Sequence, residues 1–206
     1  MASQPAAATR LTDRKRAAIL EAAVAEFRTT GYEATSMDRI AERAAVSKRT
    51  VYNHFPSKEA LFAQILEKLW ESSADGKDLA YRADRPLRDQ LLELVKLKLR
   101  MLQDENFLDL ARVAIAAGIH SPERAREMVS RMSEREEGIT TWVRAASADG
   151  RLKAKDPLFA SMQLQSLVKG FAFWPQISMG QVVLTPAEQT RVAEGAVDMF
   201  LACYGS

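Results

Sequence analysis

Lys48, Arg49, Thr50, Tyr52, Asn53 and His54 place six hydrogen-bonding side chains in seven consecutive positions, interrupted only by Val51. An ammonium, a guanidinium, two hydroxyls, a carboxamide and an imidazole can nearly all donate to a phosphate oxygen or a base edge. That chemistry is recognition of a nucleic acid. Lys48, Arg49 and Thr50 open the run and are the candidates for reading bases. Arg49 is the sharpest of them, since a guanidinium grips O6 and N7 of guanine through two parallel bonds, worth about 1–3 kcal/mol in discrimination. Asn53 suits adenine or a phosphate. Each has a plainer alternative: Tyr52 packing its ring on a neighbouring helix, Lys48 and Arg49 as solvated charges, and His54 as a helix-end cap.

The elements that must carry these residues are written just around them. Thr35 or Ser36, with Asp38 as the acid of a capping box, can start one short helix; Ser47 can start a second, and Ser57 after Pro56 a third. Between the first two lie only Ala44, Ala45 and Val46, suited to a tight corner. Two short helices and a tight turn form a helix-turn-helix over 36–55, whose second helix can enter the DNA major groove. Met37, Ile40, Ala41, Val46, Val51 and Phe55 supply the small core that fixes the angle between them. Thr35 and Ser36 sit at a helix start, where free backbone N–H groups add to a phosphate site.

Positions from Arg16 to Leu61 resemble the DNA-binding domain of TetR-type repressors: Ile19, Leu20, Ala22, Ala23, Phe27, Gly31, Tyr32, Thr35, Ile40, Ala41, Val46, Ser47, Lys48, Thr50, Tyr52, His54, Phe55, Ser57, Lys58 and Leu61. The chain departs from that pattern at Ala45 and Arg49, where such proteins often have Gly. If the turn requires a positive φ at Ala45, the cost is about 1 kcal/mol relative to Gly. The resemblance implies that Tyr52, His54 and Lys58 clamp phosphates, that the last two helices pair two copies, and that the body encloses a small effector. Gly170, Phe171, Ala172, Phe173, Trp174, Pro175 and Gln176 are similar to the C-terminal domain of the AefR-like subgroup.

The 206 residues, 47% hydrophobic and 27% charged, read as an ordinary globular protein with a net charge of only +2. Ten Lys and Arg stand against seven Asp and Glu through residue 60, and 19 against 20 beyond it, so the basic excess lies at the front. Arg10, Arg14, Lys15 and Arg16 cluster there, either as a minor-groove arm or, by the favoured reading, as a solvated helix end. Cys203 is the sole cysteine, which excludes an intrachain disulfide and suits a reducing cytoplasm. No segment reaches the ~18–20 apolar residues that span a bilayer.

The expected architecture is all-α with about nine helices: residues 1–9 a flexible tail, 10–56 a three-helix DNA-binding head, and 57–206 a helical body for effector binding and dimerisation. Helix starts fall at 12–13, 35–36, 47, 57, near 86 and 105, and at 121, 156 and 185. The eighth and ninth, over 157–175 and 185–204, are apolar around too much of their circumference for one packed side, so Leu164, Val168, Val197 and Phe200 are the candidate dimer contacts. Trp70, Met101, Phe107, Met128, Trp142, Met162, Phe171 and Trp174 are the candidate effector lining, apolar and deformable. Residues 57–70 could act as a lever between head and body. The implied partners are double-stranded DNA, a second copy and a small, apolar or weakly polar effector; no cofactor, metal or membrane is expected. The reading is a repressor that binds a palindromic operator as a dimer. The rival reading is a helix-turn-helix used for protein contacts. Catalysis is disfavoured, since His120 is the body's only histidine and no nucleophile, metal or phosphate-loop motif accompanies it.

Overall fold

A computed structural model describes residues 5–73, 79–133 and 138–206, with side chains described from Thr12 onward except at 70–73 and 131–133. Among the described residues there are eleven helices and no strand, only an isolated bridge between Leu152 and Gly205. None of these helices is long and apolar enough to cross a membrane. The chain divides into two compact units: Met1–Leu69 with Asp109–Met128, and Trp70–Leu108 with Val129–Ser206.

The first unit holds α1 (Pro5–Thr30), α2 (Met37–Arg43), α3 (Lys48–His54), most of α4 (Lys58–Ser73) and of α6 (Glu105–Ile119), and the first part of α7 (Pro122–Ser133). α1 begins at Pro5 rather than near Thr12, so the helix reaches into the expected tail; residues 1–4 lie outside the described residues. Polar caps set the other starts. Ser36 accepts from the Arg39 N–H, Ser47 from Thr50, Ser57 from Ala60 and Ser121 from Arg124, each cap worth about 1 kcal/mol. Ile19, Ala23 and Phe27 of α1, Ile40 of α2, Val51 of α3 and Leu61, Phe62 and Ile65 of α4 are all buried in this unit. At its centre Phe27, Tyr32 and Phe62 form an aromatic group with centroids 5.0–6.3 Å apart.

The second unit holds α5 (Leu87–Leu102), α8 (Gly138–Ala148), α9 (Pro157–Ala172), α10 (Trp174–Ser178) and α11 (Pro186–Tyr204). α9 packs on α8, α5 and α11, and α11 also packs on α5. Two helices stand beyond the expected nine among the described residues. The described residues of the expected seventh helix fall in α7 and α8, and residues 134–137 lie outside the described residues. Phe173, at φ −135° and ψ −63°, breaks the expected eighth helix, and Pro175 then opens α10 instead of closing α9. Thr185 and Glu188 start α11 with a reciprocal capping box.

α9 has two apolar faces. Ala160, Leu164, Val168 and Ala172, at fourfold spacing, point inward and are fully buried. Leu158, Phe159 and Met162 point outward and are each more than half exposed. α11 repeats the arrangement: Val197 and Phe200 are buried, whereas Met199 is 62% exposed beside exposed Gly195, Ala202 and Cys203. Leu164, Val168, Val197 and Phe200, expected at the dimer contact, are therefore interior residues. Periodicity identifies an apolar helix without saying which of two apolar faces meets its own chain.

Trp142, expected in the effector lining, is a packed anchor. Its indole is 2% exposed, lies edge-on to Tyr81, and donates to the buried Gln90 Oε1 at 3.2 Å. The same amide accepts from Arg82 N and donates to the carbonyls of Arg82 and Arg85. Gln90→Ala removes the partner of the buried Trp142 indole N–H and of part-buried backbone groups of Arg82 and Arg85, and an unsatisfied buried polar group costs about 1–3 kcal/mol. Urea unfolding of this variant is expected to show a loss of about 2–3 kcal/mol; a loss below about 0.5 kcal/mol would refute the role given to Gln90.

Candidate nucleic-acid interface

The corner between α2 and α3 is a Schellman turn. Val46 N donates to Ala41 O at 3.0 Å and Ala45 N to Glu42 O at 3.1 Å, the two bonds that close a helix end around a left-handed residue. That residue is Ala45, at φ 52°, and it is the one non-glycine residue with positive φ among the described residues. The conformation anticipated from the sequence is present, and Ala accommodates it at the cost of some strain.

Beyond the corner, Val51 and Phe55 face the interior, at 0% and 2% exposure. Their spacing turns Lys48, Arg49, Tyr52 and Asn53 outward on one face of α3, where all four are exposed. Arg49 makes no ion pair among the described residues, so its guanidinium is available. Lys48 reaches Asp38 on α2 at 2.8 Å, and that hydrogen bond raises its pKa. Both side chains are more than 60% exposed, so the pair is easily exchanged for a phosphate. Thr50 and His54 stand at the flanks of this face, half-buried; Thr50 Oγ1 lies 2.8 Å from Ser47 Oγ and the His54 ring lies against Phe55. Ser36 is exposed at the start of α2, its oxygen engaged by Arg39 N.

Two residues expected at the phosphates are committed elsewhere. Lys58 Nζ donates to the carbonyls of Tyr32, Glu33 and Thr35 at 2.7–3.1 Å and lies 4.5 Å from the Tyr32 ring. An ammonium has three protons, so none is left for DNA. Thr35 is 3% exposed, with Oγ1 bonded to Gly31 O and in contact with Thr30 Oγ1. Both residues shape loop 31–36, which leads the chain into α2. Tyr32 inside that loop has its hydroxyl pKa pushed up to about 12, by burial first and by Glu59 second.

The sequence reading missed three features. Asp38 sits on the presented surface beside Lys48, where a carboxylate repels phosphate and accepts from cytosine N4. Glu26, 3% exposed on α1, receives Arg43 Nε at 2.6 Å, while Arg39 Nε approaches its other oxygen to 3.1 Å without hydrogen-bond alignment. The signal was present: an acid inside the apolar stripe of α1, facing two arginines four apart on α2. The third is Arg124 of α7, which contacts Tyr32 and Glu33. Nothing in local sequence points to it.

The described candidate effector residues differ in their surroundings. Phe107 and Trp174 both contact Phe173, with centroids 6.2 and 5.0 Å away. Met162, Phe171 and Trp174 are 56%, 61% and 48% exposed. Met101 and Met128 are half-buried in separate units, and Trp70 lies outside the described side chains. Two clefts, of about 290 and 350 Å³, are lined by none of these residues. Among the described residues no group of three His, Cys, Asp or Glu is placed to hold a metal ion.

Comparisons with known proteins show the family. The family profile described as bacterial regulatory proteins, tetR family, matches residues 19–65, and that of the AefR-like transcriptional repressor C-terminal domain matches 89–206. A crystal structure of a TetR family transcriptional regulator from Pseudomonas syringae pv. tomato is 54% identical, with TM-score 0.84 over 93% of this chain and 96% of that one. The HTH-type transcriptional regulator RutR of Escherichia coli K12 is 28% identical over 176 residues, 82% of this chain and 79% of RutR. The flavonoid-responsive regulator FrrA is 27% identical, with TM-score 0.69 over 94% of this chain and 98% of that one.

Ala45→Gly relieves the left-handed strain but enlarges the freedom of the unfolded chain, so a net gain of about 0.5–1 kcal/mol is expected. A raised urea midpoint with unchanged slope is the check, and a lowered midpoint would show the turn to be unstrained.

Proposed function

The chain belongs to the tetR family of bacterial regulatory proteins, and we propose that it is a repressor that binds a palindromic operator as a homodimer and is released by a small, apolar or weakly polar effector. That it is a DNA-binding transcriptional regulator follows from its family, and the relatives named above all carry the name of regulators. The observation that carries the operator reading is the outward face of α3, with Lys48, Arg49, Tyr52 and Asn53 all exposed. Arg49 and Asn53 read base edges; Lys48, Tyr52 and His54, with Ser36, hold phosphates. Thr50 contributes by fixing the start of α3 through Ser47.

The dimer reading draws on the second apolar face of α9 and α11. Leu158, Phe159, Met162 and Met199 are too large and too exposed to be a solvated surface, and Gly170, Gly195 and Ala202 allow close approach of a second pair of helices. A two-fold dimer presents two α3 helices, and their half-sites fall about one turn, ~34–36 Å, or a multiple apart. The effector reading draws on FrrA, a responsive relative, and on the aromatic group of Phe107, Phe173 and Trp174. Release requires an effector that binds better to a dimer with wrongly spaced heads.

The direct test selects bound fragments from the organism's own genomic DNA and then screens metabolites for release. A few fragments sharing an inverted repeat are expected; no enrichment over bulk DNA at low salt would favour a protein partner instead. Met162→Glu places a charge on the outward face, and the light-scattering mass is expected to fall from two chains to one. A one-chain mass for the unaltered protein at micromolar concentration would sink the dimer. Arg49→Ala is expected to relax preference at one base pair of each half-site, about 1–3 kcal/mol, whereas Tyr52→Phe weakens specific and unrelated duplexes alike. Equal loss of specificity in both variants would contradict this division.

A further inference from the structure

Loop 31–36 delivers the chain into α2, and through the Schellman corner into α3, so its placement sets where the proposed DNA-reading face stands. Two cations grip it. Lys58 does so from α4, through three carbonyls. The other comes from a distant part of the sequence: Arg124, near the start of α7, lays its guanidinium 4.1 Å from the centre of the Tyr32 ring and donates Nη1 to Glu33 Oε1 at 2.5 Å. That hydrogen bond is the first cause holding the Glu33 carboxyl below the usual carboxylate range.

A cleft of about 350 Å³ opens between residues 30–34 and Ala116, Ala117 and His120, with Arg124 at its edge. The cleft leaves room between the loop and α6, and at its edge Arg124 supplies both a ring contact and a hydrogen bond to the loop. A second ionic tie among the described residues, Arg28 to Asp109, joins the bodies of α1 and α6 rather than the loop. Arg124 itself is fixed at its base, since its backbone N–H is capped by Ser121.

We propose that Arg124 is a positioning residue for DNA binding: it holds loop 31–36, and with it α2 and α3, in the DNA-competent placement without touching DNA. The proposal rests on the reading of α3 as the DNA-contacting helix. It gives α7 a function that no motif in its own sequence announces.

The test uses the full-length protein, the duplex recovered by genomic selection and a random-sequence duplex of equal length. Arg124→Gln is expected to bind the recovered duplex five- to tenfold more weakly, with an unchanged slope of log K against log salt, because no phosphate contact is lost. Arg124→Lys, which keeps the charge near Glu33, should recover part of the loss. Arg124→Gln combined with Glu33→Gln should be no worse than Arg124→Gln alone, as expected for two ends of one contact. Wild-type affinity in Arg124→Gln overturns the proposal, and so does a salt slope reduced by about one, which would make Arg124 a phosphate contact. A loss of affinity that merely tracks a loss of folded protein in thermal melts also overturns it. If the unaltered protein is retained on neither duplex, the DNA-binding reading fails and takes this proposal with it; the other outcomes reject the role of Arg124 alone.

Discussion

The Lys58 ammonium is the interaction on which the proposed DNA face depends. Three carbonyls of loop 31–36 would otherwise compete for solvent, and one cation gathers them while the Tyr32 ring lies beside it. Charge-assisted bonds of this kind are stronger than neutral ones, and here they define a loop with no regular structure of its own. Thr35 closes the same loop from within. Once the loop is fixed, Ser36 starts α2, Ala45 turns the corner and Ser47 starts α3. The outward set of Lys48, Arg49, Tyr52 and Asn53 then follows from helical periodicity alone.

In the second unit a different constraint operates. α9 carries apolar residues on two sides, and a single chain of this size covers only one. Its inner side fills the space among α5, α8 and α11; its outer side, with the matching side of α11, is left for a second copy in the reading advanced above. Dimerisation and DNA recognition are linked by symmetry, since two copies related by a two-fold axis necessarily present two copies of α3.

Much of this was legible in the sequence, and the limits were physical. Helix starts were legible because capping is local chemistry: Ser36, Ser47, Ser57, Ser121, Asp156 and Thr185 all sit where their side chains can serve the next turn. The strain at Ala45 was legible for the same reason. Lys58 points away from the expected phosphate because the direction of a side chain is decided by tertiary neighbours, here carbonyls some 25 residues away in sequence, whereas Thr35 turns inward onto the Gly31 carbonyl four residues before it. Leu164, Val168, Val197 and Phe200 were misread because apolar periodicity is the same for a core and for an interface. The anchoring of Trp142 was not legible because its partner, Gln90, lies 52 residues distant. Arg124 left no trace in the sequence, since a lone arginine near a helix start is usually just a solvated charge.

The central claim is that the outer face of α3 lies in the major groove with Arg49 on a guanine. Methylation interference tests it most directly, because a methyl group on guanine N7 blocks the guanidinium without altering the rest of the duplex. The account predicts interference at one guanine in each half-site, symmetric about the dyad and one helical turn or a multiple apart, and its disappearance in Arg49→Ala. Interference confined to adenine N3 in the minor groove, or unchanged guanine interference in Arg49→Ala, would contradict it.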